Sequence, residues 1–168
     1  WLATRKPPSG ASEFLTPPTV STPSPTPSGR PRVDHEIPLK VSPSDVVAGG
    51  DLVYVTGRMS GLILKVDIAT GLIADAPPVR VNHTVYGAAF DESTGYLYVG
   101  TFDDRKLVVY DGITNSVIKT ITKIGRGRPF RVAVDPLGRR AYVACSGDDM
   151  NTISVVDTST FQKLPPLK

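Results

Sequence analysis

The sequence is poor in the side chains that most often carry chemistry: one cysteine and two histidines among 168 residues. The single cysteine, Cys145, excludes an intrachain disulfide and any multi-cysteine metal site. His35 and His83 stand in no metal-ligand spacing, and neither a Gly-x-Ser-x-Gly elbow nor a phosphate-cradling glycine motif is present. No catalytic constellation can be assembled from these residues, and no cofactor is expected. Apolar runs fall far short of the ~18 residues that a membrane span needs. No 3.6-residue periodicity lasts long enough to support a helix. The folded part also lacks an excess of one charge. The formal net charge of +3 belongs entirely to residues 1–32, whereas residues 33–168 hold 15 basic and 15 acidic side chains. A neutral repeat region has no overall field to attract a phosphate backbone, so a nucleic-acid partner is not favoured.

What is present divides the chain in two. Ten of the 16 prolines lie in residues 1–43, and residues 1–32 also carry ten serines and threonines. Such a segment has too little apolar surface to offset its ordering entropy. Residues 1–34 are therefore expected to be a disordered Pro/Ser/Thr-rich linker. The chain begins at Trp1, and the expectation is a piece of a longer protein, with "WLATRKPP" as a possible tail of an upstream membrane anchor.

Residues 35–168 are repetitive. Tyr54, Tyr98 and Tyr142 begin Tyr–Val pairs spaced by 44 and again by 44 residues. Each pair leads through a polar turn to a second apolar run ending in Asp67, Asp111 or Asp157. Upstream, "VYGAAFDESTGYLYV" (85–99) aligns without a gap on "PFRVAVDPLGRRAYV" (129–143). Each unit reads as four short strands: a small-residue strand, the Tyr–Val strand, the strand ending in aspartate, and a fourth such as "SVIKTITKI". Runs such as "RVAV", "KLVVY" and "TISVV" place apolar side chains at both parities, which a strand covered on both faces permits. Units of ~40–45 residues with two-sided burial are what propeller blades require.

The combination "GRPFRVAVDPLGRRAYVACS" with "TISVVDTST", and "VYVTG" at 53–57, resembles the YVTN-type β-propeller repeat. The second unit departs at its entry, with Val85 where the third has Pro129. The resemblance implies an all-β fold, about three four-stranded blades of a larger, seven-bladed ring. It places the blades at about 42–80, 81–124 and 125–168, the last incomplete, and makes "HEIPLKV" (35–41) a closing outer strand. Lys168 then falls part-way round the ring, and the remaining blades of the parent chain become necessary partners.

Residues that recur in every unit serve the blade. The three aspartates are expected to fix turns through backbone N–H groups, the three tyrosines to be core aromatics, and Cys145 to be a small core residue. Function is expected where the repeat breaks, on loops of one face. Arg126, Arg128 and Arg131 lie on the connection between units two and three, where arginines can clamp a carboxylate or phosphate. His83 and Tyr86 enter the second unit nearby. Asp103, Asp104, Asp148 and Asp149 occupy equivalent turns on the same face as compensating charges. The reading is a non-catalytic module binding a small-molecule or protein ligand, in an extracytoplasmic surface, periplasmic or receptor-kinase-type protein. The alternative implied by the same resemblance is a lactonase-like hydrolase or dehydrogenase-subunit propeller, with its active-site residues mostly in other blades.

Overall fold

The computed structural model describes residues 36–74, 78–81, 84–147 and 151–165. Expectations for the linker (1–34), for Asn82 and His83, and for Asp148 and Asp149 lie outside the described residues. All described residues belong to one unit, His35–Lys168.

Three antiparallel sheets follow one another along the chain. The first is built from β1 (Pro43–Gly49), β2 (Leu52–Gly57), β3 (Leu62–Asp67) and the short β4 (Val79–Arg80), in that order. The second is β5 (Val85–Asp91), β6 (Tyr96–Thr101), β7 (Lys106–Asp111) and β8 (Ser116–Ile121). The third has three strands among the described residues, β9 (Arg128–Asp135), β10 (Arg140–Ser146) and β11 (Thr152–Asp157). Sheets of four, four and three strands joined in sequence order resemble propeller-blade units. The third, the blade expected to be incomplete, has no fourth strand among the described residues, where an isolated bridge joins Val156 to Lys163.

The turns explain why the chain meanders. Asp67, Asp111 and Asp157 each accept the backbone N–H of the threonine three residues on, at 2.8, 3.2 and 2.8 Å. The residue four after each aspartate takes a positive φ: Gly71 (67°), Asn115 (58°) and Phe161 (57°). The aspartate thus closes the loop, and the left-handed residue reverses the chain.

The core lies between the sheets. Leu97, Val99, Val108 and Tyr110 of the second sheet meet Tyr54 and Ile63 of the first. On the opposite face, Tyr98, Leu107 and Val109 meet Ala141, Val143, Cys145 and Val156 of the third. The middle sheet is therefore apolar at both parities because both of its faces are covered. Each fully buried Leu or Val contributes about 1.5–3 kcal/mol relative to exposure. The third sheet has one covered face. Ile153 is 63% exposed there and Tyr142 only half-buried, whereas Tyr54 and Tyr98 are buried as expected.

Residues 36–41, within the segment read as a closing strand of the ring (35–41), form no strand with the three sheets described. Leu39 and Val41 instead pack over Val55, Leu64 and Val66 on the outer face of the first sheet.

Candidate functional site

The innermost strands carry the feature that shapes one face of the molecule. Each has a register shift near its start: Pro43/Asp45 in β1, Val85/Gly87 in β5, and opposite Ala144/Cys145 in β9. The extra residues are Ser44, Tyr86 and Phe130. A bulge leaves its extra residue out of the ladder and re-aims the side chain. Tyr86 and Phe130 are thereby turned onto each other, with ring centroids 4.9 Å apart and planes inclined by 28°. Phe102, just past the end of β6, closes the cluster at 4.7 Å from Tyr86 and 5.6 Å from Phe130.

Two arginines extend this stack. The Arg58 guanidinium lies 4.8 Å from the Tyr86 ring centre, and its Nε and Nη2 donate to the Tyr86 hydroxyl at 3.1 and 2.5 Å. Arg128 lies 4.9 Å from the centre of Phe102. Both arginines are exposed, and among the described residues neither is paired with a carboxylate. Ring faces attract a guanidinium by about 0.5–1 kcal/mol at exposed sites, enough to orient it. The result is a ledge in which the adjoining rings of Tyr86, Phe102 and Phe130 are flanked by the guanidiniums of Arg58 and Arg128, with residues contributed from all three sheets.

Arg131 is held differently. Its Nη1 lies 3.3 Å from Asp45 Oδ2 and 3.4 Å from the Tyr86 carbonyl oxygen, tying the third sheet to the first. Asp45 also accepts the Ala88 N–H at 2.9 Å, so one carboxylate joins all three innermost strands. Gly87 makes this approach possible. A Cβ there would stand 2.7 Å from both the Arg131 Cα and the Phe130 carbonyl oxygen.

Arg126 stands at the rim, outside the stack. Its loop is pinned by the fully buried Ile124, whose N–H donates to the Arg105 carbonyl at 3.0 Å. Arg105 Nη1 in turn donates to the Arg126 carbonyl at 3.2 Å. Of the residues singled out from the sequence, the fold gathers Tyr86, Arg128 and Arg131 and leaves Arg126 beside them. Asp104 pairs with Lys106 at 2.6 Å and accepts the Thr101 hydroxyl, while Asp103 is exposed.

Sequence reasoning missed Arg58, Phe102, Phe130 and Asp45. A signal existed: Arg58, Phe102 and Ser146 are separated by 44 and 44 residues, as are Tyr86 and Phe130. Arg58, Phe102 and Ser146 differ in chemistry from unit to unit while keeping the spacing of the repeat.

The remaining features are structural. Burial in the core between the second and third sheets pushes the Cys145 thiol up from its ordinary value, so it is held as an unreactive thiol. A cleft of about 630 Å³ lies along the outer edge of β11, lined by Lys123, Arg126, Thr152, Ser154 and Lys163 among others. It occupies the side of the sheet that β4 and β8 fill in the other two, so it belongs to sheet construction and not to the ledge. Among the described residues no group of three or more His, Cys, Asp or Glu side chains could hold a metal ion. No described helix is long and apolar enough to cross a membrane.

No family model matches the chain, and no curated protein does. Among solved structures it is similar to hydrazine synthase of Kuenenia stuttgartiensis, with a TM-score of 0.66 and 24% sequence identity. The match covers 81% of this chain and 38% of that chain. At this identity the likeness concerns the fold alone. The class defined by fold and comparison together is an all-β protein of consecutive, blade-like antiparallel sheets.

Proposed function

We propose that the chain is a binding module of a β-propeller of the YVTN type, three consecutive blades of a larger ring that holds an anionic ligand on the ledge without transforming it. The observation that supports this reading is the pair of exposed guanidiniums, Arg58 and Arg128, fixed over ring faces and free of carboxylate partners among the described residues. Arginine stays protonated across the biological pH range, phenylalanine has no ionisable group, and the Tyr86 hydroxyl is already engaged by Arg58. Such a surface supplies charge and contact area rather than proton transfer. The linker and the charge-neutral repeats favour an extracytoplasmic setting, with the ring held off a surface and completed by further blades.

Calorimetric titration of the full chain with anionic small molecules and peptides tests the proposal. Binding is expected with at least one class and is expected to disappear in the Arg58→Ala/Arg128→Ala double variant. Binding that persists in that variant would place the site elsewhere, and turnover of a lactone by the chain would replace the binding reading with a hydrolytic one.

A further inference from the structure

Resting on the ledge as the binding face, we infer that its ligand is an extended acidic segment of a polypeptide. Three features of the site select this class. The first is the separation of the two cations. Arg58 and Arg128 rest on different rings, Tyr86 and Phe102, each guanidinium just under 5 Å from its ring centre and the two centres 4.7 Å apart. An extended chain rising about 3.3 Å per residue can engage both cations with two carboxylates no more than about four residues apart.

The second is the state of the rings. Tyr86 already lies against Arg58, Phe102 and Phe130, and Phe102 against Arg128. Single-stranded nucleic acid gains much of its affinity by laying bases on free aromatic faces. Here Arg58 covers Tyr86 and Arg128 covers Phe102, leaving Phe130 as the one exposed ring, too little for successive bases, and the half-buried edges of Tyr86 and Phe102 are suited to aliphatic stems. The third is charge. Residues 33–168 are neutral overall, and the exposed Asp103 directly follows Phe102. A continuous polyphosphate would meet that acid, whereas discrete carboxylates can straddle it. The planar carboxylate also matches the guanidinium fork, two N–H groups to two oxygens.

The test uses fluorescence anisotropy of the full chain at low ionic strength with three probes: a short peptide with glutamates four residues apart, a single-stranded oligonucleotide of equal length, and benzoate as competitor. The peptide is expected to bind tightest. Arg58→Ala and Arg128→Ala are each expected to weaken it about tenfold, the loss of one charge-assisted contact. Arg128→Lys is expected to weaken it as well, because an ammonium keeps the charge but not the planar stack. Lys119→Ala, on the exposed β8, serves as the charge control and leaves binding unchanged. A preference for the oligonucleotide, or complete displacement by benzoate at equal affinity, overturns the peptide inference and leaves the ledge reading standing. Peptide binding unaffected by both arginine variants overturns the ledge reading too, as does silence from all three probes.

Discussion

At the residue scale, one aspartate per unit does the same work three times. The Thr70 backbone N–H, with help from its hydroxyl, holds the Asp67 carboxyl below its ordinary value of 3.8. The Thr160 backbone N–H does the same for Asp157, against a smaller opposing effect of desolvation. A carboxyl depressed in the folded state adds stability that is fully present above its unfolded value and is lost as pH falls through the folded one. The chain is therefore expected to lose stability as the pH drops below about 4, and the Asp67→Asn/Asp157→Asn double variant to lose less over that interval. Urea midpoints measured from pH 5 downward check this; parallel curves for both proteins would refute it. These aspartates were legible in the sequence because they act on neighbours three residues away. Asp45 was not, since its partners Ala88 and Arg131 are brought to it by folding.

At the element scale, the strands differ in how many of their faces are covered. β6 is buried at every position after Tyr96, and β7 at every position between Lys106 and Asp111. β8 is exposed at every position but Ile121. Local opening free energy follows such differences in burial. Amides of β6 and β7 are accordingly expected to exchange with deuterium most slowly, and those of residues 36–41 fastest, in a hydrogen-exchange experiment read by mass spectrometry. Equal protection of β6 and the 36–41 segment would contradict the central position of the second sheet. Strand existence was readable from the apolar runs and the turn residues between them. The fate of 36–41 was not, because its alternating apolar pattern specifies a face to bury and not the strand beside which to lie.

At the scale of the whole molecule, the uncovered side of the third sheet matters most. On that side Ile153 is 63% exposed and Tyr142 is only half-buried. The equivalent face of the second sheet, with Tyr98 and Leu107, is covered by the third sheet. An apolar sheet face of this kind favours association. The full chain is expected to self-associate as its concentration rises, and Ile153→Lys to shift it toward monomer in sedimentation velocity. A chain that is monomeric throughout, with or without the substitution, would mean that this face is satisfied in some other way. Both-parity apolar patterning in "TISVV" states that the strand tolerates cover on two sides; whether both covers are present is a property of the assembly.

The sequence by itself determined the repeating unit, its strands, its aspartate turns and the neutrality of residues 33–168. All of these rest on interactions between residues a few positions apart or on simple composition. Only the tertiary structure decided that Arg58, Tyr86, Phe102, Phe130 and Arg128 form a continuous ledge, and that Asp45 and Arg131 meet across Gly87. The physical reason is the bulge. One extra residue in a strand leaves the hydrophobic pattern almost unchanged, yet it re-aims a side chain toward a different sheet, and that partner is chosen by how the sheets pack.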